Sequence, residues 1–185
     1  VFNGCSSLTS VALPKGLTSI SNSMFSGCGS LTSVTIPESV TEIGMGAFNS
    51  CLSLTSITIP EGVTYIDEFT FNECHSLTSV VIPRSVTRIG SSAFSGCDGL
   101  KDVYYAGSQS QWNGIEISDG NDSLLSADIH FDPSGSTGSG TFGDNLTWSV
   151  DADGTLTISG TGAIPDFEYV MGETPNSVYD GGANT

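Results

Sequence analysis

The sequence predicts a solenoid, mainly β with short helical turns, built from 23-residue repeats and followed by a capping segment and a C-terminal β-hairpin region. Three observations predict it. Cysteines fall at positions 5, 28, 51, 74 and 97, one every 23 residues. Phenylalanines at 2, 25, 48, 71 and 94 keep the same step. So do the leucines at 8, 31, 54, 77 and 100 and the prolines at 14, 37, 60 and 83. A unit of this length is too small to bury its own apolar face, so successive copies must stack.

One coil, Cys51 to Glu73, shows how. Leu54, Ile57 and Ile59 are spaced L-x-x-L-x-L around Thr55, Ser56 and Thr58. β-Branched residues in this alternation make a short strand with one buried face. Pro60 ends it, because proline has no N–H for the ladder of the neighbouring coil. Val63 and Ile66 form a second short extended piece. Phe71 brings the chain inward after a helical turn expected at Glu68–Phe71.

The segment LTSVTIPESVTEIGMGAFNSC at 31–51, with its copies at 8–28, 54–74 and 77–97, resembles the leucine-rich repeat family. The subtype it resembles is the cysteine-containing one of bacterial surfaces, called BspA-like or Treponema pallidum-type. The resemblance covers residues 1–103, and it implies a right-handed leucine-rich-repeat solenoid with a parallel sheet on one face. It also implies a part in extracellular adhesion or recognition. Departures are mild: Ser21 and Asp67 stand where other coils carry Gly44 and Gly90, and Thr70 replaces Ala47 or Ala93.

Residues 104–132 read as the cap of the solenoid, since a terminal repeat must shield the last apolar layer. Ser108 or Ser110 is the expected N-cap of a short helix carrying Trp112, which is expected as a lid on the core. Asn121 or Asp122 is expected to start a second turn with Leu124 and Leu125, and Asp128–Phe131 a closing strand. The segment is similar to an ending common after such repeats, YYxGSxxQWNxIxI…IHF. Residues 133–141 are a flexible Gly/Ser linker by composition. In 142–185, Asn145–Val150 and Thr155–Ser159 alternate apolar and polar around Asp151-Ala152-Asp153-Gly154, a β-hairpin pattern. This part resembles a small β module found beside such repeats in gut bacterial surface proteins, and is expected as a partial module with a polar tail from Glu168 onwards.

Four Lys and Arg stand against 20 Asp and Glu, a formal charge of −16. Such acidity argues against nucleic acid and anionic membranes as partners. After Lys101 the chain carries no Lys or Arg at all. No apolar run is long enough to span a bilayer, so membrane insertion is not expected. The opening Val1-Phe2-Asn3-Gly4-Cys5 matches the end of a repeat, so the chain is expected to be a fragment. Its localisation is expected to be extracellular or cell-surface attached, with signal and anchor outside it.

An odd number of cysteines rules out a complete internal set of disulfides. In-register coils lie about 4.7–4.9 Å apart, whereas disulfide-bonded Cβ atoms average about 3.8 Å. Cys5, Cys28, Cys51, Cys74 and Cys97 are therefore expected as a structural core ladder of buried free thiols. A linear column does not converge as zinc ligands must, and no C-x-x-C suggests redox work.

Catalytic signals are weak. There is no G-x-S-x-G elbow, and the two histidines, His75 and His130, have no local partner pattern. Asp151-x-Asp153-Gly154 has the opening spacing of a calcium loop, but its twelfth position is Gly162 where a bidentate Glu is needed. No catalytic residue, metal site or cofactor is expected, and the chain is not expected to be an enzyme.

Surface remains. The outward sheet residues, among them Thr32, Thr35, Thr55 and Thr58, form a neutral Ser/Thr carpet. The row Ser19, Glu42, Tyr65 and Arg88, one per coil, varies instead, and Tyr and Arg are favoured contact residues. These eight are the candidate partner-binding residues. The function expected is non-catalytic recognition or adhesion, with host or microbial surface proteins as partners. The alternative is a carbohydrate-binding or spacer module, for which exposed Tyr65 or Tyr104 would contact glycans.

Overall fold

The computed structural model of the chain describes residues 2–131 and the strands Ser139–Phe142, Leu146–Val150 and Leu156–Gly160. The turn Asp151–Gly154 and the tail from Glu168 lie outside the described residues, as does most of the Gly/Ser stretch. Two compact units divide the chain, residues 1–137 and 138–185.

The first unit is a stack of coils with two parallel sheets. The L-x-x-L-x-L segments give β1 (Ser10–Val11), β3 (Ser33–Val34), β5 (Ser56–Thr58), β7 (Ser79–Ile82) and β9 (Asp102–Tyr105). The second extended pieces give β2 (Ser19–Ile20), β4 (Glu42–Ile43), β6 (Tyr65–Ile66) and β8 (Arg88–Ile89). Pairing follows the repeat: Ser10 with Ser33, Ser56 with Ser79, Ser19 with Glu42, Tyr65 with Arg88. Between the sheets each proline opens a tight turn, its carbonyl accepting from the N–H three residues on, as Pro60 does from Val63.

The third side is the arc carrying the phenylalanines, where the helical turn expected at Glu68–Phe71 does not form. The N–H groups of Thr70, Asn72 and Cys74 bond back three residues, while those of Phe69, Phe71 and Glu73 bond forward to Ser91, Ala93 and Ser95 of the next coil. Left-handed residues impose this alternation. Phe69 (φ 57°) and Glu73 (φ 60°) share slots with Gly46 (φ 62°) and Gly27 (φ 73°). A helix cannot run through such positions.

The core is a set of columns. Rings of Phe2, Phe25, Phe48, Phe71 and Phe94 stack with centroids 5.2–5.6 Å apart. Leu31, Leu54 and Leu77 are fully buried, as are Val40 and Val63. Buried Thr70 keeps its hydroxyl satisfied by donating to the Asp67 carbonyl at 2.7 Å.

Both ladders are interrupted at the same step. The first sheet runs β1-β3 and then from β5 onwards, the second β2-β4 and then from β6 onwards. At Gly44 a Cβ would lie 2.7 Å from the Asn22 nitrogen, and at Gly90 2.7 Å from that of Glu68. Those glycines let coil backbones touch. Asp67 occupies the same slot in the third coil, at the step where both ladders are interrupted.

The cap continues both sheets rather than merely covering them. A short helix α1 (Gln109–Trp112) has Ser108 as N-cap in a capping box with Gln111. Trp112, 6% exposed, meets Tyr105 edge-on at 5.3 Å. Next come β10 (Glu116–Ile117), paired with β8, α2 (Asp122–Leu125) and β11 (Asp128–Phe131), paired with β9. Arg88 pairs with Glu116 and Asp102 with Asp128, steps of 28 and 26 residues in place of 23. Buried Asn121 ends the arc. Its Oδ1 accepts from the Phe94 N–H at 3.0 Å, and its Nδ2 donates to the carbonyls of Gly90 and Ser118.

In the second unit the expected hairpin is present as β13 (Leu146–Val150) and β14 (Leu156–Gly160), antiparallel. A third strand, β12 (Ser139–Phe142), pairs with β13, so residues 139–141, assigned to the linker by composition, are in the sheet.

Candidate functional site

Ser19, Glu42, Tyr65 and Arg88 occupy one outward row on the second sheet. Their strand neighbours Ile20, Ile43, Ile66 and Ile89 turn inward and are buried, as period-two alternation requires. Ser19 and Glu42 are exposed and lie before the ladder break; Tyr65 and Arg88 follow it. The structure joins the last two directly. The Arg88 guanidinium carbon stands 4.8 Å from the centre of the Tyr65 ring. On its other side Arg88 Nε lies 3.4 Å from Oε2 of Glu116.

Glu116 was not found by sequence reasoning. The row repeats every 23 residues up to Arg88, and α1 then shifts its next member to position 116. The signal that could have found it is the apolar pair Ile115 and Ile117 beyond the helix. Both Arg88 and Glu116 are more than half exposed, so the ion pair contributes little stability. It sets a carboxylate beside the guanidinium that lies over the tyrosine ring. Burial first, and then the Asp67 carboxylate, push the Tyr65 phenol up from its ordinary value, with Arg88 opposing more weakly. The result is a neutral hydroxyl, a cation and two carboxylates along one ridge, with no nucleophile among them.

On the first sheet the Thr carpet divides by role. Hydroxyls of Thr32, Thr55 and Thr78 donate to the carbonyls of Thr9, Thr32 and Thr55 at 3.3, 3.4 and 3.0 Å. They bond coil to coil. Thr35 and Thr58 stand exposed.

The thiols of Cys28, Cys51, Cys74 and Cys97 are buried and free, and each donates to a phenylalanine carbonyl of the preceding coil at 3.2–3.3 Å. Cys5 departs from the expected buried column: it is exposed, because among the described residues no coil stacks on its outer side. Burial pushes Cys51 and Cys97 up to about 12 and raises Cys28 and Cys74 as well.

His75 lies between carboxylates, Nε2 3.1 Å from Glu73 and Nδ1 3.3 Å from Asp98, all on the surface. Glu73 and Asp98 sit on opposite edges of the ring and do not converge. Among the described residues no group of three or more His, Cys, Asp or Glu could hold a metal ion, and no helix is long and apolar enough to cross a membrane.

The model of the BspA type leucine rich repeat region matches residues 1–114 in six copies. No curated protein matches the chain significantly. Among solved structures, the chain is similar to a leucine-rich repeat protein of Treponema pallidum, at 35% identity and TM-score 0.54 over 55% of this chain and 48% of that one. It is also similar to a leucine-rich repeat protein of Bacteroides ovatus, at 35% identity and TM-score 0.56 over 69% of this chain and 31% of that one. A leucine rich cell surface protein of Faecalibacterium prausnitzii aligns at 38% identity and TM-score 0.48, over 58% of this chain and 35% of that one. The chain thus spans about half or less of the length of each. Six family repeats over most of a stack with this register leave one conclusion: the chain belongs to the BspA-type leucine-rich repeat family.

Proposed function

We propose that this chain is a non-catalytic recognition module of a bacterial surface protein, extracellular or attached to the cell surface, that binds protein partners through its repeat surface. The contact site is the ridge Glu42, Tyr65, Arg88 and Glu116, with Ser19 at its end. The observation that carries this reading is the stack of Arg88 on half-buried Tyr65, with Glu116 beside the guanidinium, on an outward row whose residue differs from coil to coil. A planar cation already oriented on an aromatic loses little side-chain freedom on binding, which favours its use as an anchor. Host or microbial surface proteins are the partner class.

The spacer reading draws support from the first sheet, where Thr32, Thr55 and Thr78 spend their hydroxyls on neighbouring coils. The experiment that separates the two is a binding survey with the immobilised chain against matrix proteins, mucins and a glycan panel. A Tyr65→Ala, Arg88→Glu variant runs beside it. The recognition reading expects a saturable protein ligand whose affinity falls about tenfold or more in the variant. Silence against every ligand favours the spacer, and a glycan ligand indifferent to the variant contradicts the ridge.

A further inference from the structure

We propose that the cap end of the first sheet is a second contact face, and that it takes an arginine-bearing segment of a protein partner. The outward rows of this sheet change character at its last two strands. Ser56 and Ser79 lead in register to Asp102 and then Asp128; Thr58 and Val81 lead to Tyr104 and then His130. A neutral carpet becomes two carboxylates beside two rings.

Asp102 and Asp128 are direct partners in a parallel ladder, an arrangement that like charges disfavour. One of them has relief, since His130 Nε2 lies 2.8 Å from Asp102 Oδ1. Asp128 is exposed and makes no ion pair among the described residues, and neither does Lys101, the neighbouring cation. Tyr104 stacks on His130 with centroids 4.8 Å apart and planes 19° apart, and is still 45% exposed.

A guanidinium fits this chemistry best. It is planar, stacks against aromatic rings and offers paired N–H donors to carboxylates. It would relieve the opposed Asp102 and Asp128, which an uncharged sugar cannot do. The excess of 20 Asp and Glu over 4 Lys and Arg steers such a segment towards the chain from a distance. This face is separate from the ridge of Tyr65 and Arg88, and it does not depend on which partner the ridge takes.

The test uses the whole chain and a fluorescein-labelled extended peptide alternating Arg with Thr, read by anisotropy, with a Glu/Thr peptide as control. Expected is binding of the Arg peptide alone, weakened about tenfold by Asp102→Asn with Asp128→Asn. Tyr104→Ala weakens it too, and added salt does the same. Glu38→Gln with Glu61→Gln, equal in charge removed but placed at the proline turns, leaves it unchanged. Circular dichroism checks that each variant stays folded. No binding of the Arg peptide overturns the proposal. So does equal weakening by the Glu38 and Glu61 variant, which would mean bulk charge attraction. A glycan captured through Tyr104 while the peptide stays unbound overturns it as well.

Discussion

Each thiol from Cys28 to Cys97 fills a core slot and donates to a phenylalanine carbonyl that already accepts the N–H three residues on, so one atom serves packing and gives that carbonyl a second bond from the next coil. The cost appears at high pH. The ordinary thiol value is 9.0, and burial raises Cys51 and Cys97 to about 12. Between these values the native state holds protons that the unfolded chain releases. Stability is therefore full below about pH 9 and is lost as pH rises towards 12. The expected slope is roughly 1.4 kcal/mol per pH unit for each buried thiol. Urea midpoints measured across this range should fall, and Cys51→Ala should make the fall shallower by one thiol's share. A flat profile would mean that the thiols are not buried in solution.

At the scale of elements, the strands and their inward residues were legible because a strict period assigns every slot at once. The arc was not. Its left-handed slots are filled by Ser23, Ser50, Phe69, Glu73 and Ser92 as well as by glycines, so composition gives no warning of them. Asp67 was visible as a departure from glycine, but the closeness of the coil backbones in that slot needed the distances at Gly44 and Gly90. The cap hides its device better still. In the inner coils the Phe48 and Phe71 N–H groups bond to carbonyls of Thr70 and Ala93; at the last coil the Asn121 side chain takes that place. Asn121→Ala should leave the Phe94 N–H and the Ser118 carbonyl without their partner, the Gly90 carbonyl keeping the Ala93 N–H, and cost about 2–3 kcal/mol by denaturant unfolding. Amide exchange at Phe94 should rise with it. The same burial makes Asn121 of the sequon Asn121-Asp122-Ser123 inaccessible to glycosylation in the folded chain.

Over the whole molecule, stacking in register turns a repeated sequence into long surface rows, and the rows are what a partner meets. Tyr65 and Arg88 were legible as a varied row because they lie within the strict period. Glu116, Asp128 and His130 were not joined to their rows, because the segment carrying α1 lengthens the steps to β10 and β11 to 28 and 26 residues and breaks the count. Both proposed faces, the ridge and the cap end, exist only if the coils stack as described. Counting accessible thiols tests this most directly. A maleimide reagent with mass spectrometry should label one cysteine of the native chain, Cys5, and all five after unfolding. Rapid labelling of Cys28, Cys51, Cys74 or Cys97 in the native chain would contradict the stack, and so would a mass deficit from a disulfide between any two of them.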